Sequence, residues 1–105
     1  MSWANHCILQ LQQGKTCQIR PSGHSMTGRV NHRDLVTLSP CKPEELKVDD
    51  IILVKVNGRV YLHLIKAIQQ DRFLIGNNRG GTNGWANKKG IYGKVINIQH
   101  DTTTL

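Results

Sequence analysis

Two apolar, β-branched runs, Ile51 to Val56 and Val60 to Ile68, stand on either side of Asn57-Gly58, and nothing else in the chain constrains the fold as strongly. Asn and Gly tolerate the positive φ that both central positions of a two-residue hairpin turn require, so the runs are predicted to pair as antiparallel strands. The same short-strand pattern recurs elsewhere. Cys17 to Arg20, Leu35 to Leu38, Arg72 to Ile75 and Ile91 to Ile98 are further β-rich segments bounded by Pro, Gly, Asn and Asp. Trp3 to Gln13 carries Ile8, Leu9 and Leu11 among polar residues and reads as a short helix ending at Gly14. Pro40, Pro43 and Glu44-Glu45 mark a connection that holds one helical turn. Asn77 to Gly90, rich in Gly and Asn, reads as a long loop, and the tail from His100 as frayed.

These signals add up to one mainly β, α+β domain with a short N-terminal helix. At 105 residues with five aromatics, the chain has room for a single modest core built from Val, Ile and Leu. No apolar run approaches the roughly 20 residues that span a bilayer, and no basic segment leads into an apolar one at the start, so a soluble protein without membrane contact is expected. Cys7, Cys17 and Cys41 are odd in number and lack Cys-x-x-Cys spacing. They suggest neither a disulfide framework nor a zinc site; small buried thiols in a reducing cytoplasm are expected, with no metal and no cofactor.

Charge is uneven along the chain. Residues 1 to 50 hold six basic and five acidic side chains, whereas residues 51 to 105 hold eight and two, so nearly all of the net +7 sits in the second half. Such an excess suits a non-specific, salt-sensitive nucleic-acid contact, or simply a solvated basic face. The basic residues are not interleaved with aromatics along the chain, which argues against base stacking.

The stretch Arg20-Pro21-Ser22-Gly23-His24-Ser25-Met26 carries the chemistry. Pro21 and Gly23 bend the backbone and present the Ser25 hydroxyl on an exposed turn, while Met26 is placed to anchor it from inside. Downstream come Val48-Asp49-Asp50-Ile51-Ile52-Leu53-Val54, the strand Val60-Tyr61-Leu62-His63-Leu64-Ile65, the box Leu74-Ile75-Gly76-Asn77-Asn78-Arg79, and Tyr92-Gly93-Lys94-Val95. As an ordered set over roughly residues 14 to 98, these resemble the peptidase superfamily shared by signal peptidases and LexA-type self-cleaving repressors. The resemblance implies a compact signal-peptidase/LexA-like β fold with Ser25 as nucleophile and His63 in the base position. Most bacterial members and the repressors carry Lys there. It also implies that backbone N–H groups around Ser25 form the oxyanion site, with Gly23 in the turn and Ser22 as a side-chain donor.

A serine hydroxyl attacks efficiently only when a base takes its proton, and imidazole has the basicity for that task. Strand alternation puts Tyr61, His63 and Ile65 on one face and Lys66 on the other, so His63 and Lys66 cannot both face Ser25. A histidine base needs a third group to fix its tautomer. Where the family carries acids this chain has Asn77 in the box and Asn83 in Thr82-Asn83-Gly84, leaving Asn77 or Asn83 as the expected neighbour, with Asp34 and Asp71 as the acidic alternatives. The repressors' helix-turn-helix region and Ala-Gly or Cys-Gly cleavage dipeptide have no counterpart here. The expectation is a serine endopeptidase acting on a peptide or protein substrate; its rival is a weakly active or inactive member of the same fold that binds protein or nucleic acid.

Overall fold

In the computed structural model, residues 3–101 are described. A helix, α1 (Asn5–Gln12), precedes seven strands: β1 (Cys17–Ile19), β2 (Leu35–Ser39), β3 (Ile51–Val56), β4 (Arg59–Gln69), β5 (Arg72–Gly76), β6 (Thr82–Asn87) and β7 (Ile91–Gln99). Single 3-10 turns at Pro43–Glu45 and Lys88–Gly90 complete the elements. All strands pair antiparallel in one sheet ordered β1-β2-β7-β3-β4-β5-β6. The fold is mainly β with a short N-terminal helix, as the sequence indicates.

The β3–β4 hairpin is its centre. Asn57 and Gly58 adopt φ of 50° and 81°, the left-handed pair that a two-residue turn requires, and the register runs from Val56↔Arg59 to Ile51↔Leu64. β3 is buried on both faces. Ile51 and Leu53 join a cluster with Cys7, Leu11, Met26 and Leu38, whereas Ile52, Val54 and Val56 join a second with Ile65, Phe73 and Ile75. Two apolar clusters therefore replace the single core expected from composition; five of the six residues of the central strand serve them, from its two faces.

α1 covers the first cluster. Ala4, Cys7 and Leu11 recur at helical spacing and are buried, while Leu9 faces solvent. The helix lies close to β7 because Gly93 has no side chain: a Cβ there would stand 2.9 Å from both Leu11 methyl groups. Gly14, at φ 80°, ends the helix, and the Gly14 and Lys15 N–H groups donate to the carbonyls of Leu11 and Gln10. Cys7 and Cys17 form a disulfide, Cα to Cα 5.4 Å, that ties α1 to β1; Cys41 is free and half-buried. This corrects the expectation of three unpaired thiols. Sequence spacing gave no sign of the pairing because the helix must first fold back onto β1.

Two further expectations fail for tertiary reasons. The presumed loop from Asn77 to Gly90 contains β6, whose Ala86 is buried against the second cluster. Its composition is poor for a strand, yet pairing with β5 satisfies its backbone. Of the tail from His100 expected to fray, His100 and Asp101 are held in place, His100 Nδ1 lying 2.7 Å from Asp34 Oδ2 and the Asp101 N–H donating to Asp34 Oδ1 at 2.9 Å, while 102–105 lie outside the described residues.

Four β-bulges bend the sheet. The register shifts leave Lys66 on β4, Asn83 on β6, and Tyr92 and Ile96 on β7 as the extra residues. The resulting curl brings β6 over the β3–β4 turn. At Gly84, with φ 120°, a Cβ would lie 3.1 Å from the Asn57 side-chain nitrogen and 3.5 Å from a Val56 methyl.

Candidate active site

The segment between β1 and β2 carries Ser25 on a tight, internally bonded turn. Gly23 and Gly28 have φ of 107° and 99°; Thr27 N donates to His24 O between them, and Val30 N donates to Met26 O across Gly28. Met26 is buried in the first cluster, so the turn is anchored from beneath by an apolar side chain. The Gly23 N–H donates to His32 Nδ1 at 3.1 Å, and the Gly28 N–H donates to Asn31 Oδ1 at 2.9 Å. From across the sheet, Asn78 clamps the turn twice. Its backbone N–H donates to Ser25 O and its side-chain amide to Thr27 O, at 3.0 and 2.8 Å.

His63 comes from β4, at the point where that strand leaves β5. It is 7% exposed and stacks on Tyr61 with ring centroids 4.9 Å apart. Its Nε2 lies 3.1 Å from Ser25 Oγ, and its Nδ1 lies 2.7 Å from Asn83 Oδ1. An amide oxygen only accepts, so the bond to Asn83 requires the proton on Nδ1 and leaves the Nε2 lone pair facing the serine hydroxyl. Asn83 reaches His63 because it is the bulged residue of β6; regular pairing of β5 and β6 would give it a partner and a different direction.

Burial is the main influence on His63 and holds its basicity below the ordinary imidazole value of 6.5. The hydrogen bond to Asn83 acts in the opposite sense, and the Lys66 ammonium lowers it further. At neutral pH the ring is an uncharged base. That is the form able to take a proton from Ser25.

The remaining expected site residues separate. Asn77 does not reach His63; its Oδ1 accepts from the Arg79 and Gly81 N–H groups and shapes the turn between β5 and β6. Neither acid does so either. Asp71 pairs with Lys88 at 3.3 Å, and Asp34, 1% exposed, is surrounded by the Asn31 N–H, the Asp101 N–H and His100. Burial alone would raise the Asp34 carboxyl, but these donors together hold it below 3.8. Ser22 and Gly23 line the cleft beside Ser25, although the Gly23 N–H is already committed to His32. Among the described residues the Ser25 N–H has no protein acceptor and is left able to donate to a ligand. Asn78 is the residue whose positioning role the sequence did not show, because its two acceptors lie about fifty residues away.

A cleft of about 360 Å³ opens over the pair, walled on one side by Ile19 to Gly23 and on the other by Val60 to His63. Both walls offer backbone. β1 is an edge strand, and β4 pairs with β5 only from Leu64 onward, so one side of its Arg59 to His63 half is unpaired among the described residues. No helix of the described residues is long and apolar enough to cross a membrane. No protein-family model, curated protein or solved structure matches the chain.

Proposed function

We propose that the protein is a serine endopeptidase of the signal-peptidase and LexA-like type, in which Ser25 is the nucleophile, His63 the general base and Asn83 a positioning residue. The observation that carries the reading is the line Ser25 Oγ, His63 Nε2, His63 Nδ1, Asn83 Oδ1, with steps of 3.1 and 2.7 Å on either side of a buried neutral ring. In the reaction, Ser25 Oγ attacks the carbonyl carbon of the scissile bond as its proton passes to His63 Nε2. The carbonyl oxygen becomes the oxyanion facing the Ser25 N–H. The imidazolium returns that proton to the departing amine nitrogen as the C–N bond breaks, leaving an ester on Ser25. Water, deprotonated by the same ring, then hydrolyses the ester. Asn83 orients the ring in both halves but offers no negative charge to the imidazolium. The unpaired strand edges on both walls of the cleft suit an extended peptide that adds to them by main-chain hydrogen bonds.

The test is cleavage of a mixed peptide library by the protein and by Ser25→Ala, read by mass spectrometry. Peptide hydrolysis that disappears in the variant is expected; hydrolysis surviving it, or none by either protein, removes the reading in favour of a binding module. The expected cytoplasmic location rests on unpaired thiols; the Cys7–Cys17 disulfide favours an oxidising compartment instead, and the pair makes the choice measurable. Alkylation in freshly denatured cells yields three free thiols for a reducing cytoplasm and one for an oxidising compartment.

A further inference from the structure

The dyad's cleft does not end at the dyad. Trp3, Val60 and Tyr61 line both it and a second, more open cleft of about 480 Å³ that continues over the β3–β4 hairpin to Tyr92. The two form one path from the Ser25 turn to β7. Its charge is one-sided. Arg20 stands in the first cleft, Lys55 and Arg59 in the second, and no carboxylate lines either. Three of the chain's seven acids are engaged elsewhere: Asp34 with His100, Asp50 with Lys94, and Asp71 with Lys88.

Lys55 and Arg59 are exposed, and among the described residues neither has a carboxylate within ion-pair distance. They flank the Asn57-Gly58 turn, and Arg59 opens the half of β4 whose edge is unpaired and which leads within four residues to His63. A strand added along that edge would carry its side chains past both cations and past Trp3, Tyr61 and Tyr92. Folding has thus assembled an aromatic and basic surface that the linear sequence does not display.

Resting on the peptidase reading, we infer that the substrate class is an extended peptide bearing acidic side chains on the portion that lies over the β3–β4 hairpin, where Lys55 and Arg59 recognise the carboxylates. A peptide is favoured over a nucleic acid because the path passes directly over Ser25 and His63 and is bordered by strand edges. Opposite charges across such a surface fix register and select partners, with an effect that salt weakens.

The experiment measures equilibrium binding to Ser25→Ala protein, so that turnover does not interfere. The probes are fluorescein-labelled peptides about ten residues long, roughly 33 Å when extended, carrying several Glu, or Gln at the same positions. The Glu peptide is expected to bind at least about tenfold more tightly at low salt, with the ratio falling as ionic strength rises. Adding Lys55→Glu and Arg59→Glu should abolish that ratio and favour a Lys peptide. Both side chains are exposed, and a circular-dichroism melt verifies that the fold is kept. Equal binding of the Glu and Gln peptides overturns the inference. So does tighter binding of a single-stranded oligonucleotide that displaces the Glu peptide. If the Glu preference holds but wild-type protein cleaves neither peptide, the recognition stands and the peptidase reading alone fails.

Discussion

The molecule contains two histidines bonded through Nδ1 to an oxygen at the same 2.7 Å, and they are built for opposite ends. His63 is buried and its partner is an amide, Asn83; His100 has a side chain 58% exposed, and its partner is the buried carboxylate of Asp34. Where the ring is buried beside a neutral acceptor, desolvation disfavours the charged form and leaves a neutral base whose Nε2 meets Ser25 Oγ. Where the carboxylate is buried and the ring exposed, the carboxylate is the form stabilised, and two backbone N–H groups complete its hydrogen bonds. The first pair fixes the tautomer of a neutral ring whose other nitrogen faces Ser25 Oγ. The second is a structural clasp that fastens the end of β7 to the segment carrying Ser25. Distance alone does not distinguish them; burial and the charge of the acceptor do.

Exchanging the partners breaks the comparison most forcefully at His63. His63→Ala should lower peptide hydrolysis by about 10²- to 10⁴-fold, the usual worth of a general base, while leaving peptide binding in place. Asn83→Ala should cost less, about 10²-fold, because the base remains and only its orientation is lost. The pH profile sharpens this. For wild type, activity should rise through a midpoint below the ordinary 6.5, since a ring whose basicity is depressed stays neutral to lower pH. Asn83→Asp should move the midpoint upward, because a carboxylate stabilises the imidazolium that an amide does not. An unchanged midpoint in Asn83→Asp would show that another group controls the profile.

The clasp is tested by stability rather than rate. Asp34→Ala removes the buried acceptor of two backbone N–H groups and of His100, and a loss of about 1–3 kcal/mol in chemical denaturation is expected. The sign with pH follows from a carboxyl held below 3.8: its contribution is fully present above that value and is lost as pH falls through the lower, folded one. Wild-type stability should therefore decline on that acid limb, and the decline should be shallower in Asp34→Ala. His100→Ala should cost under about 1 kcal/mol, because an exposed partner in a high dielectric adds little.

Much of the fold was legible in the sequence because local rules and tertiary packing agree there. Asn57-Gly58 and the β-branched runs beside it define a hairpin in any context, and β3 begins and ends where its apolar run does. Ser25 and His63 were singled out by the ordered resemblance over residues 14 to 98, since neither the Gly-containing turn nor the strand position alone distinguishes them. β6 was not legible, since Thr82-Asn83-Gly84 lacks strand propensity and pairs only because β5 presents an open edge. The Cys7–Cys17 bond, the double clamp from Asn78 and the Asp34 clasp were hidden for the same reason.

By itself the sequence determined six of the seven strands and the antiparallel β3–β4 hairpin. Those features depend on alternation, turn chemistry and side-chain type, each fixed within a few neighbouring residues. Which group orients His63, which acid serves structure, and which charges line the path past Ser25 were decided by the tertiary structure alone. They depend on bulges and on the curl of the sheet, where one extra residue redirects a side chain and brings together positions that are remote in the chain.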